Sequence, residues 1–187
     1  MMIGICGGIG SGKSVLSRIL RLRGEPVYDC DIEAKRIMDT SEEVLAALNG
    51  RYGDVVCPPG GPIFRQELAR RVFGSDTERL WLNKLVHRLV REDVGLWRDR
   101  HEVCFVESAI LASSGLAAMC DEVWLVTAPE EIRIARTLAR DSLTEEAVRA
   151  RIRSQLEEER QLYASGVPVR SIDNSGYLSI LCQISTH

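Results

Sequence analysis

The residues of this chain best equipped for chemistry come early, in Gly7-Gly8-Ile9-Gly10-Ser11-Gly12-Lys13-Ser14. The stretch fits G-x-x-x-x-G-K-[ST], placed after the apolar run Met2–Cys6 and before a helical pattern from Lys13 to about Arg23. Each part has a physical task. Glycines let backbone N–H groups close around phosphate oxygens, and a helix N-terminus adds partial positive charge. Lys13 can neutralise the outer phosphates, and the Ser14 hydroxyl can ligate Mg²⁺. Four fixed positions match by chance in roughly one chain of this length in a hundred. A turn that only tightened a strand–helix corner would not require the Lys-Ser pair. The motif points to a nucleoside triphosphate with Mg²⁺.

A second set of groups is Asp29-Cys30-Asp31, closing the short apolar run Pro26–Tyr28. If that run is a parallel strand, its end lies on the same sheet edge as the phosphates. In extended backbone, residues two apart face the same way, so both carboxylates can address one acceptor hydroxyl. Either aspartate would also serve as a cap for the helix beginning at Ile32. Asp31 is the expected base, with Asp29 in support. Glu107 ends another apolar run, Val103–Val106, and is either an acceptor contact or a solvated strand end. Arg133, Arg136 and Arg140 recur at spacings of three and four and share one helix face. Such a stripe can be a solvated face balanced by Glu130 and Glu131, or a set of cations for a migrating phosphoryl group. His87 sits inside a helical pattern, where a single histidine has a structural reading as well as a functional one.

These groups need elements to position them. Expected strands are Met2–Cys6, Pro26–Tyr28, Glu102–Glu107, Glu122–Thr127 and Val167–Ile172. Expected helices run from Lys13 to about Arg23, Ile32 to Met38, Glu42 to Asn49, Arg65 to Phe73, Glu78 to Arg100, Pro129 to Arg140, Thr144 to about Tyr163 and Tyr177 to Ser185. Alternating strands and helices predict an α/β fold, a parallel sheet between helix layers with ligands at the carboxyl ends of its strands. The turn-rich Pro58-Pro59-Gly60-Gly61-Pro62 is the candidate internal linker.

Composition limits the functional classes. The chain has 187 residues, 24 Lys+Arg, 27 Asp+Glu and a formal charge of −3, which argues against a general nucleic-acid binder. Only Lys13, Lys35 and Lys84 are lysines, leaving 21 arginines. The six cysteines are scattered without a C-x-x-C pair, as expected of reduced core thiols. The apolar start is cut short by glycines, and no run approaches the ~20 apolar residues of a membrane span. A cytoplasmic protein with no membrane or nucleic-acid partner is expected.

Taken in order, these segments resemble the dephospho-coenzyme A kinase family over most of the chain. The cradle looks like that family's opening, and Asp29-x-Asp31 followed by Ala34-Lys35 looks like its Asp-x-Asp with a nearby Ala-Arg. Phe64-Arg65 with Leu68 and Val72-Phe73, then Leu82-Asn83 and Leu85-Val86-His87, resemble its middle segment. Arg136, Arg140-Asp141, Arg151-Ile152 and Gln155 resemble its lid, and Ile172-Asp173-Asn174-Ser175-Gly176 its closing Ile-x-Asn-x-Gly.

The resemblance implies a P-loop NTPase fold with a mostly parallel five-stranded sheet. It implies a single kinase domain over 1–187, with a core of about 1–40, 101–140 and 166–187, an acceptor-binding helical insertion at about 41–100, and a helical lid at about 140–165. It implies transfer of the ATP γ-phosphoryl group to the ribose 3′-hydroxyl of dephospho-coenzyme A. Asp31 would be the base, with Lys13 and Arg140 on phosphates. ATP would be bound by Gly8, Gly10, Ser11, Gly12, Lys13, Ser14, Val15, Arg136 and Asn174, the last near adenine. Asp29, Arg65, His87 and Glu107 would contact the acceptor, and Ser14 the Mg²⁺.

The chain departs from the family pattern in three places. His87 is followed by Arg88 instead of proline. Glu107 through Ser113 lacks the proline and second acid of the family's segment, and Val167-Pro168-Val169-Arg170 replaces an Ala-Asp. The alternatives are a P-loop kinase for another small hydroxyl acceptor such as shikimate, and a non-catalytic ATP-binding protein. Against the first, no Gly-Gly-Gly follows the third strand.

Overall fold

The computed structural model describes residues 1–176 and 179–184. They fall into two compact units, one of residues 1–29 with 98–187 and one of residues 30–97. The first unit carries a five-stranded, all-parallel sheet: β1 Met2–Cys6, β2 Val27–Asp29, β3 Cys104–Glu107, β4 Glu122–Thr127 and β5 Val169–Asp173, in the order β2-β3-β1-β4-β5. β1 is central and buried throughout, which is why its sequence is a continuous apolar run and not an alternating one. The strand order reverses around β1, so the loop leaving it opens where an open α/β sheet places its ligands.

The α-helices described in this unit are α1 (Lys13–Leu22), α6 (Glu130–Arg140), α7 (Glu145–Ser154), α8 (Leu156–Ala164) and α9 (Ile180–Ile184). Leu16 and Leu20 turn the apolar stripe of α1 onto Ile3, Ile5, Phe105 and Trp124 of the sheet. The rings of Phe105 and Trp124 pack with centroids 5.3 Å apart, a tilted pair that fixes β3 against β4 across β1. Helix α1 stops where Glu25 N–H bonds to Leu20 C=O at 3.0 Å and Gly24 N–H to Arg21 C=O at 3.1 Å, the paired C-terminal bonds that a glycine allows.

The second unit is helical: α2 (Cys30–Thr40), α3 (Glu42–Tyr52), α4 (Arg65–Phe73) and α5 (Asp76–Arg98, its last residue assigned to the first unit). Ser41 caps α3 by accepting from Val44 N–H, which separates two helices adjacent in sequence. Pro58–Pro62 lies inside this unit, with the unit's boundaries at 29/30 and 97/98. Arg51 donates from Nε and Nη2 to both oxygens of Glu78, at 2.6 and 2.7 Å, and the Tyr52 hydroxyl donates to the same carboxylate. The Arg51 guanidinium also lies 4.5 Å from the Trp81 ring centroid, so one ion pair and one aromatic face tie α3 to α5.

Three expectations need correction. Helix α2 begins at Cys30, so Asp31 is in its first turn and does not extend the strand that ends at Asp29. Strand geometry therefore does not align the two carboxylates. The helix expected from Thr144 to Tyr163 is two helices, interrupted at Gln155, whose side chain is drawn to the backbone of Ile9. Helix α9 starts at Ile180; Tyr177, Leu178 and Ser185 of the expected terminal helix lie outside the described residues. Among the described residues no helix is long and apolar enough to cross a membrane. The six cysteines are all free, and burial pushes the Cys6 thiol up to about 12, in keeping with an inert core thiol.

Arg51, followed by the Tyr52 hydroxyl, lowers the Glu78 carboxyl from 4.5 to about 2. An acid depressed by folding stabilises above its unfolded value and loses that contribution as pH falls towards its folded one. Glu78→Gln is expected to lower the thermal midpoint slightly at pH 7. The difference from the parent should shrink between about pH 4.5 and pH 2, as followed by circular dichroism. A constant difference across that window would contradict the role given to this pair.

Candidate active site

The phosphate cradle joins β1 to α1. Its closure is set by Ser11 N–H bonding to Gly8 C=O at 3.1 Å and Val15 N–H to Gly12 C=O at 2.9 Å. Helix α1 takes Gly12 as its N-cap, with no side-chain cap and no acid in its first turn. The N-terminal N–H groups and the helix dipole thus meet no competing carboxylate on the helix itself, as an anion site requires. Lys13 is half-buried, and Ser14 and Val15 are exposed at the helix start.

Two glycines are demanded by geometry as well as by motif. Gly10 has φ +73°, and a Cβ there would lie 2.3 Å from the Arg133 carbonyl oxygen and 2.8 Å from Thr137 Oγ1, both on α6. Gly12 has φ +100°, and its Cβ would lie 2.0 Å from Asn174 Nδ2. The loop is therefore pressed from one side by the backbone of α6 and from the other by the residue that follows β5. Asn174 is held there by its N–H on Thr127 C=O and by Nδ2 donating to Ser11 C=O, each at 2.8 Å.

The arginine helix meets the cradle with its first half. Arg133 Nε donates to Ile9 C=O at 2.9 Å, and Gln155 Oε1 accepts Ile9 N–H at 2.7 Å. Burial pushes the Arg133 guanidinium below its ordinary value, with Glu159 and Glu130 opposing at a distance. Arg136 has a buried Nη1 with no hydrogen-bond partner. Arg140, at the far end of α6, donates from Nε and Nη2 to both oxygens of Asp141, at 2.9 and 2.8 Å. That pair raises the arginine and lowers the aspartate. A cleft opens beside the cradle, lined by Cys6, Gly7, Gly8, Arg133, Gln155 and Glu159 among others.

At the carboxyl edge of the sheet, Asp29 and Glu107 are register partners across β2 and β3, and Glu107 also pairs with Ile5 of β1. The structure thus brings together the two expected acceptor acids of the first unit. Arg21 lies 3.7 Å from Asp29. Within the second unit, Asp31 is exposed in the first turn of α2, Arg65 opens α4 and pairs with Asp39 at 2.5 Å, and His87 is half-buried on α5.

Three contacts were not singled out by sequence reasoning. Arg133 was legible only as one member of a stripe, because spacing does not say which end of a helix reaches the loop. Gln155 carried no local signal beyond its place in a lid-like segment. Glu158, within an acidic run, accepts Ala112 N–H at 2.5 Å and Ser113 N–H at 3.2–3.3 Å, fastening α8 to the loop after β3. That loop is where the family's second acid is missing from the sequence.

Known proteins resemble this chain in sequence and in fold. The family model described as dephospho-CoA kinase matches residues 1–179. A dephospho-CoA kinase of Porphyromonas gingivalis is 45% identical over 166 residues, covering 88% of this chain and 81% of that one. Among solved structures, TT1252 from Thermus thermophilus superposes with a TM-score of 0.76 at 36% identity, covering 97% of this chain and 92% of that one. Dephospho-CoA kinase from Campylobacter jejuni gives 0.63 at 23% identity, covering 93% and 89%, a likeness of fold.

Gly10→Ala tests the cradle. The added methyl meets backbone, which cannot rotate away, in a conformation that L side chains rarely adopt. Calorimetric titration should show ATP affinity reduced by at least about tenfold, at a cost of about 1–3 kcal/mol of strain wherever the loop is held in place. Affinity within twofold of the parent would mean that the loop conformation is not what binds phosphate.

Proposed function

The chain belongs to the dephospho-CoA kinase family, and from that premise we propose that it transfers the γ-phosphoryl group of ATP to the ribose 3′-hydroxyl of dephospho-coenzyme A, yielding coenzyme A and ADP. The observation that carries the reading is a family match over residues 1–179, reaching from the cradle to Asn174 and beyond. A kinase for a shikimate-like acceptor and a non-catalytic ATP-binding protein are not favoured, because the match is to the whole ordered set of segments and not to the cradle alone.

In this reading the cradle N–H groups of Gly8 and Gly10–Val15 nest the phosphates, and Lys13 offsets their charge. Phosphoryl transfer needs little covalent help from the protein; positioning and charge stabilisation do most of the work. Asp31 accepts the proton of the attacking hydroxyl, from an exposed carboxylate in the first turn of α2. Asp29 and Glu107 orient the acceptor at the sheet edge, and Arg65 and His87 contact it from the helical insertion at about 41–100. Arg136 and Arg140 serve the nucleotide from α6 and the lid at about 140–165, Arg140 exchanging Asp141 for phosphate. Asn174, fixed on Ser11, lies near adenine.

Mg²⁺ fits the residues present. The Ser14 hydroxyl is exposed at the start of α1, and among the described residues no cluster of His, Cys, Asp or Glu competes for the ion. Mg²⁺ suits a site with one protein oxygen, several waters and substrate phosphates, where it neutralises developing charge. A cytoplasmic location suits an ATP-dependent enzyme with six free thiols.

The test is a coupled assay for ADP release with purified protein, ATP and Mg²⁺, offering dephospho-coenzyme A, shikimate or no acceptor. Release with dephospho-coenzyme A alone is expected; release with shikimate alone would overturn the reading. Asp31→Asn should bind ATP within twofold of the parent while kcat falls about 10²–10⁴-fold. An unchanged kcat would remove Asp31 as the base.

A further inference from the structure

Gly8 presents a question that its backbone does not answer, since it is not among the cradle glycines with positive φ. What it provides is room. A Cβ at Gly8 would lie 2.1 Å from Nη2 of Arg133 and 3.0 Å from Gln155 Oε1. The guanidinium rests over the start of the cradle, aimed by the bond from Nε to Ile9 C=O, while Gln155 fixes the N–H of the same residue. One residue of the loop is thus clasped at both its backbone groups, by α6 and by the break between α7 and α8.

The clasp engages Nε and leaves the four N–H donors on Nη1 and Nη2. Other arginines nearby are matched to acids: Arg140 to Asp141, and Arg149 to Glu130 and Glu145. Arg133 has no such ion pair among the described residues; Glu159 and Glu130 act on it only at a distance. A half-buried guanidinium held without a carboxylate carries a desolvation penalty that an anion would relieve. The N-terminal N–H groups of α1 serve the phosphates at one end of the cradle. Arg133 puts a cation at its other end, beside Gly8.

We propose that Arg133 is a phosphate-binding residue of this site, its Nη donors taking oxygens of the terminal phosphoryl group of the bound nucleoside triphosphate. Ile9 and Gln155 are the positioning residues that set its direction, and the missing side chain at Gly8 leaves room for it in this position. This role is additional to those of Arg136 and Arg140, and it rests on the reading that the cradle binds ATP. The guanidinium is in place before the nucleotide arrives, so its bidentate grip requires little reordering.

The experiment measures nucleotide binding without any acceptor, so it does not depend on which alcohol is phosphorylated. A non-hydrolysable ATP analogue and ADP, each with Mg²⁺, are titrated calorimetrically into the parent, Arg133→Gln and Arg133→Lys. Arg133→Gln should weaken the ATP analogue about tenfold or more while ADP stays within twofold, and Arg133→Lys should recover part of the loss. Equal weakening of both nucleotides would show that Arg133 only shapes the loop, and no weakening of either would show that it does not touch phosphate. Either result overturns the proposal. A parent that binds neither nucleotide would overturn the kinase reading instead.

Discussion

Everything in the nucleotide-binding unit depends on holding a short loop of backbone N–H groups open at the end of a buried strand. Left to itself, such a loop would turn its polar groups to water or to its own carbonyls. Here it cannot close further, because the Arg133 carbonyl lies against Gly10 and the Asn174 amide lies against Gly12. The glycines are needed both for their left-handed φ and because neighbouring backbone and side-chain groups occupy the space of a Cβ. Burial of β1 between β3 and β4 fixes one end of the loop, and the anchoring of α1 by Leu16 and Leu20 fixes the other. Binding then requires little ordering of the protein, which is where preorganised sites gain their advantage.

The arginines give the unit its electrostatic character, and their partners separate their roles. Those matched to carboxylates on the surface, such as Arg149, contribute little to stability and keep the helix faces solvated. Those near the cradle are different: Arg133 bonds to a backbone carbonyl, and Arg136 buries an Nη atom without a partner. A net charge of −3 is compatible with phosphate binding because recognition depends on where a few cations are placed, not on the total.

The sequence made the local features legible and left the long-range ones hidden. A motif at fixed spacing identifies the cradle, since its chemistry lies within eight consecutive residues. The strands and most helices follow from apolar runs and periodicity, as with Met2–Cys6 for β1 and Glu122–Thr127 for β4. The alignment inferred for Asp29 and Asp31 failed because helix α2 starts one residue after the strand ends, a boundary that periodicity over three residues does not resolve. The break at Gln155 was equally hidden, because its cause is a hydrogen bond to a residue 146 positions away. For the same reason the arginine stripe could be seen while the member that meets the cradle could not.

In the function proposed for this protein, a preformed cradle delivers the terminal phosphoryl group of ATP to one ribose hydroxyl of dephospho-coenzyme A. Phosphorus NMR of the product formed by the purified protein with ATP, Mg²⁺ and dephospho-coenzyme A tests it directly. One new monoester resonance, assigned to the ribose 3′ position and growing in step with ADP, is the predicted result. A phosphate at another position, or ADP appearing with only inorganic phosphate, would contradict it.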